Sequence, residues 1–160
     1  MAQNKYLPPK STDDWFGDYA NIYKRIGKIS NFDQECGVLL TLTEGCFLIG
    51  EHMLSLGKQH RDQTDIKILM NRIVADKATR FIFAHNHPNG VGIFSKGDMQ
   101  FTIALIWISE LMEIDFMDHI VFPHGLEPIS LKKRHPKIFQ RDWVSIFSDT
   151  IKKYIPRGKI

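Results

Sequence analysis

Cysteine is scarce: Cys36 and Cys46 are the only two in 160 residues, and no Cys-x-x-Cys occurs. That excludes the zinc nucleobase deaminases, whose His-x-Glu is completed by Pro-Cys-x-x-Cys, and the pair is expected as two small buried apolar side chains. Long apolar runs are missing too, since none approaches the roughly 18 residues that span a bilayer. Nothing ahead of Asp13 resembles a charged segment followed by an apolar core, so a reducing cytoplasm is the expected location, with no membrane partner. There is no internal repeat, low-complexity tract or linker. Aromatic and basic residues are not regularly interleaved, which argues against a groove for single-stranded nucleic acid.

What is present fits one compact domain. Apolar residues make up 43% of the chain, enough for a real core. The formal charge of +3 is mild. Its excess collects late, in Lys132, Lys133, Arg134, Lys137 and Arg141 and then in Lys152, Lys153, Arg157 and Lys159. Such a segment reads as a solvated basic end, with contact to phosphates the alternative.

The patterning predicts a mixed α/β order. Trp15, Phe16, Tyr19, Ile22, Tyr23 and Ile26 recur at near-helical intervals and predict an amphipathic helix that docks on the domain. Strands are expected over 35–43, 45–50 and 52–56. A helix is expected over 64–77, carried by Ile66, Leu69, Met70, Ile73 and Val74 and capped by Thr64 or Asp65. A strand over 79–84, a helix from Ser95 through Leu111 and Met112, and a strand over 116–122 complete the core. Trp143, Ile146 and Phe147 predict a further short helix. The organisation expected is a helical extension over 1–30, the main domain over 31–125 and a basic, helical extension over 126–160.

The chemistry concentrates in two short segments, His85-Asn86-His87-Pro88 and Ser95-Lys96-Gly97-Asp98. In a strand, residues i and i+2 share a face, so His85 and His87 converge if the preceding residues deliver them as a strand. With Asp98 they offer a divalent ion three N/O ligands and leave a position open for water. Ser-x-x-Asp before an apolar run is also a helix capping box, and either reading accounts for it alone. Hydrolysis further requires an acid or base. Glu35, ahead of the apolar run Cys36 to Thr43, stands where one is needed, although a glutamate there is equally a solvated strand end. His52, His60, His119, His124 and His135 fit no second ligand spacing and take ordinary surface or core roles. Phe94 is either a staple residue of the following helix or a substrate-facing loop residue. The contiguous letters His-Asn-His do not make an HNH nuclease, whose residues are dispersed through a ββα motif.

Taken together, Glu35 with Gly37, His85-x-His87, Ser95 and Asp98 match the JAMM motif of the JAB/MPN+ metalloproteins. Within them the chain resembles the RadC-like branch. His85-Asn86-His87-Pro88-Asn89-Gly90 is close to its His-Asn-His-Pro-Ser-Gly signature, with Asn89 the departure, and Met117-Asp118-His119-Ile120-Val121 resembles its later Asp-His strand. The likeness covers about residues 30–125. It implies a JAB/MPN-type single domain with a central mixed sheet flanked by helices. It implies one zinc ion per chain on His85, His87 and Asp98, with Glu35 shuttling the proton of an activated water and Ser95 hydrogen-bonding an oxyanion. The activity implied is hydrolysis of an amide or isopeptide bond in a protein or peptide, including ubiquitin-like conjugates. The alternative implied is a DNA-repair-associated or partner-binding module whose metal site is structural or vestigial. About 30 residues ahead of the motif domain are too few for the helix-hairpin-helix region of longer RadC proteins, so DNA is the less expected partner.

Overall fold

In the computed structural model, residues 14–55 and 66–140 are described. Five strands form one sheet in the order β2-β1-β3-β4-β5. These are β1 (Cys36–Leu42), β2 (Leu48–Ser55), β3 (Arg80–His87), β4 (Asp115–Pro123) and the two-residue β5 (Ile129–Ser130). β3 and β4 are parallel and the other neighbours antiparallel, so the sheet is mixed. Helices α1 (Tyr19–Ile26), α2 (Ile66–Ala75), α3 (Lys96–Leu111), α4 (Leu131–Arg134) and α5 (Pro136–Phe139) complete the α/β fold. No described helix is long and apolar enough to cross a membrane.

Strand parity divides the core into two layers. Cys36, Val38, Leu40 and Leu42 of β1, with Ile82 and Ala84 of β3, face α1 and its Ile22 and Ile26. Leu39, Phe81 and Phe83 face the other way, onto Leu69, Met70 and Ile73 of α2 and Leu105 and Ile106 of α3. Eight residues of helix are marginal alone, so α1 is held by what it buries, about 1.5–3 kcal/mol for each fully buried isoleucine. In β4 a register shift opposite Phe81/Ile82 makes Met117 an extra residue. The shift inverts parity, which lets Phe116 pack in the second layer while Asp118, two residues on, points to the first layer's side and His119 to the second's.

Several elements differ from the sequence expectation. α1 begins at Tyr19, because Asp18 accepts a hydrogen bond from the Ala20 N–H and caps it there. Trp15 instead forms a bridge with Phe47, and the Phe16 N–H donates to the Cys46 carbonyl. The two strands expected over 45–50 and 52–56 are the single β2, paired with β1 from Ser55 back to Leu48. Its charged residues are those of an edge strand: Glu51 accepts from Arg25 of α1 at 2.7 Å. The turn before it is longer than expected and holds Cys46 at φ 64°. β3 runs on through both histidines. β5 is too short to leave a periodic signal. His60, the expected cap at Thr64 or Asp65, the basic residues from Arg141 to Lys159 and the helix expected around Trp143, Ile146 and Phe147 lie outside the described residues.

Candidate metal centre

Three elements meet at one end of the sheet, on its α2/α3 face. Gly37 pairs with His85 across β1 and β3, and continuing that antiparallel register by two residues sets Glu35 opposite His87. His85 and His87 share a face with Phe83 and Phe81, as the two-residue period requires. Asp98 arrives from the first turn of α3. One ligand atom from each of Glu35, His85, His87 and Asp98 lies within 4.8 Å of the others. The His85 and His87 Nε2 atoms are 3.0 Å apart, and they lie 3.3 and 3.5 Å from Asp98 Oδ1 and Oδ2 respectively.

The donor set fits a divalent cation. His87 Nδ1 lies 2.7 Å from the Val91 carbonyl, which can only accept, so Nδ1 carries the proton and the Nε2 lone pair faces the cluster. Two ring nitrogens at 3.0 Å with carboxylates beside them need a proton or a cation among them. Burial works to lower the His87 pKa, but the Asp98 carboxylate and the Val91 carbonyl outweigh it and hold it above the usual histidine value. Burial would raise Asp98, yet the facing His85 and His87 rings keep it well below the usual carboxylate range. Nitrogen and oxygen ligands of this kind suit zinc and its neighbours in the first transition row.

Ser95 and Asp98 make the capping box and remain available to the site. The Asp98 N–H donates to Ser95 Oγ at 3.1 Å, and the Ser95 N–H donates to Asp98 Oδ2 at 2.6 Å. Accepting with Oγ leaves the Ser95 hydroxyl proton free to donate elsewhere, and Ser95 is exposed. Asp98 Oδ1 still faces His85. Glu35 is exposed beside the half-buried His87 and Asp98.

Two neighbours of this cluster carry roles that the sequence reading did not assign. Asn86, between the histidines, points to the opposite face and is fully buried. Its Oδ1 accepts from the Cys36 N–H at 2.7 Å, and its Nδ2 donates to the Phe32 and Gln34 carbonyls at 3.1 and 3.2 Å. The side chain thus clamps the backbone on both sides of Glu35. Alternation alone predicts that Asn86 faces away from its neighbours, but its partners lie 50 or more residues earlier. His119 of β4 is also fully buried, its Nε2 2.8 Å from His85 Nδ1. Phe94 packs edge-on against that ring at 5.2 Å between centroids, which gives it an inward role. Cys36 faces the α1 layer, away from the cluster, and both cysteines are free and buried.

Comparison with known proteins identifies the family. The family model of the RadC-like JAB domain matches residues 17–136. The chain is 31% identical over 78 residues to a UPF0758 protein of Thermosynechococcus vestitus, covering 49% of this chain and 31% of that one. It is 31% identical over 98 residues to a UPF0758 protein of Histophilus somni, covering 61% and 44%. A UPF0758 protein of Marinobacter nauticus is 41% identical over 66 residues, covering 41% and 29%. The chain therefore aligns with less than half the length of these curated relatives. A family match over most of the chain, with the mixed sheet flanked by helices, makes this protein a member of the RadC-like JAB domain family.

Proposed function

We infer that the protein is a zinc-dependent hydrolase of amide or isopeptide bonds. The observation that carries this reading is the convergence of Glu35 with His85, His87 and Asp98 within 4.8 Å, the glutamate coming from the residue just ahead of β1 and standing exposed. In this reading His85, His87 and Asp98 hold the ion, which when bound supplies Lewis-acid polarisation and lowers the pKa of water to about 7. Glu35 takes the proton of the attacking water and returns it to the leaving amine, a carboxylate shuttle of the kind that contributes about 10²- to 10⁴-fold. In this reading the Ser95 hydroxyl donates to the oxyanion of the tetrahedral intermediate, where such a donor is worth about 10²- to 10³-fold. The Asn86 clamp keeps the Glu35 backbone from swinging away. Suitable substrates are proteins or peptides with an accessible amide or isopeptide bond, including ubiquitin-like conjugates.

The DNA-associated reading draws less support from the basic segment. Lys133 Nζ stands 3.7 Å over the Tyr19 ring, and Arg134 donates to the Gly92 carbonyl at 3.2 Å, so these two cations serve the fold. The deciding experiment pairs zinc content with hydrolysis of amide and isopeptide substrates in wild type and Glu35→Gln. The expected outcome is full zinc in both and a loss of about 10²-fold or more in turnover in the variant. Equal turnover in the two would remove Glu35 from the chemistry.

A further inference from the structure

We propose that Thr102 and His119 form a buried hydrogen-bond relay that fixes the tautomer of His85, so that its Nε2 lone pair is presented to the metal centre. The inference rests on the metal-centre reading above and concerns two residues outside the cluster of Glu35, His85, His87 and Asp98.

The polarity of the relay follows from one atom that can only accept. Thr102 Oγ1 donates to the Asp98 carbonyl at 2.7 Å, four residues back in α3. A hydroxyl has one proton, so Thr102 Oγ1 must accept from its other partner, His119 Nδ1, at 2.6 Å. A neutral His119 protonated on Nδ1 has a bare Nε2, which accepts from His85 Nδ1 at 2.8 Å. His85 then carries its proton on Nδ1, and its Nε2 is the lone pair facing His87 and Asp98. His87 reaches the same tautomer through the Val91 carbonyl. Two different devices thus present two Nε2 lone pairs to one point.

The surroundings protect the relay. Thr102 and His119 are both 0% exposed. Phe83, Phe94 and Phe101 surround the His119 ring at 5.1, 5.2 and 6.3 Å between centroids, so no water competes for its nitrogens. The relay also joins two ligand-bearing elements: it starts on the backbone of Asp98 in α3, crosses β4 and ends on His85 in β3. His119 and Thr102 are positioning residues, since neither reaches the site itself.

Zinc affinity, measured by competition with a chromogenic chelator, tests the relay in wild type, Thr102→Val, Thr102→Ser and His119→Phe. Thr102→Val keeps the shape and removes the hydroxyl, whereas Thr102→Ser keeps the hydroxyl. The expected result is a 10- to 100-fold weaker affinity in Thr102→Val and His119→Phe, the range seen when partners behind a ligand are lost, with Thr102→Ser within about threefold of wild type. A second measurement needs no variant: ¹⁵N shifts of the imidazoles in zinc-loaded wild type should show the His85 proton on Nδ1 and the metal on Nε2. Wild-type affinity in Thr102→Val, or zinc on His85 Nδ1, would overturn the relay and leave the metal centre standing. A wild type that takes up no zinc would sink the metal-centre reading and the relay with it.

Discussion

Asp98 turns its two oxygens to different neighbours, so the two readings of the Ser-x-x-Asp pattern do not exclude each other. Oδ2 closes the capping box on the Ser95 N–H while Oδ1 faces His85, so the cap leaves an oxygen available to a cation. Asp98→Asn separates them. The amide oxygen still accepts from the Ser95 N–H, so unfolding free energy should stay within about 1 kcal/mol of wild type. The charge that a cation needs is gone, so zinc binding should collapse. Retained zinc in that variant, seen by elemental analysis after gel filtration, would make Asp98 a cap and nothing more. At this scale the sequence disclosed the ligand types and their spacing, because both are local. The roles of Asn86, Thr102 and His119 were hidden, since each depends on partners brought near only by the sheet and on which face an inserted residue leaves them.

Among the elements, β1 shows how tightly the centre is packed from behind. A Cβ at Gly37 would lie 2.9 and 3.0 Å from two carbons of the Phe83 ring, and that ring packs against His119 at 5.1 Å. Gly37→Ala should therefore cost about 1–3 kcal/mol by overpacking and weaken zinc binding as Phe83 moves. Gly27→Ala, where nothing lies within 4 Å of the added carbon, is the matched control and should change neither. Urea unfolding with zinc titration reads both, and equal behaviour of the two variants would deny the link between β1 packing and the site.

Asp118 joins elements on the opposite face. Its Oδ2 accepts from Tyr19 of α1 at 2.7 Å and from Ser130 of β5, and its Oδ1 accepts from the backbone N–H groups of His119 and Lys132 at 2.7 and 2.9 Å. Burial pushes this carboxyl above its ordinary value against the pull of those four donors. A carboxyl whose folded pKa is raised binds its proton more tightly in the folded state, so its contribution is full below the unfolded pKa near 4 and is lost as pH rises through the folded value. Asp118→Asn, which does not titrate and turns an amide N–H toward existing donors, should be less stable by about 1–3 kcal/mol. The deficit should grow as pH falls toward the unfolded value near 4. A deficit that shrinks on acidification would mean that the donors win over burial. The apolar periods in the sequence announced α2, α3, β1, β3 and β4. They overextended α1, because a cap at Asp18 outweighed apolar spacing, and they split β2, because an edge strand carries polar residues on its open face.

For the whole molecule, the mixed sheet and its two layers bring to one point residues that lie between positions 35 and 119 of the chain. The α/β class was legible because strand and helix periods alternate clearly and the motif residues fall at element ends. The docking of an N-terminal amphipathic helix was legible too, but which layer it joins and the short β5 were not, being set by contacts between distant segments. A centre assembled this way holds together only in the folded chain, so binding should be linked to folding. Zinc at about 1,000 times its dissociation constant should raise the melting temperature by roughly 8–16 °C.

The most direct test is the zinc content of the purified chain by mass spectrometry, measured beside His87→Ala and Asp98→Ala. About one zinc per chain is expected in wild type, and its loss in both variants, each of which remains folded. A wild type that takes up no metal when zinc is supplied, or variants that keep it, would contradict the claim that these residues form a metal centre.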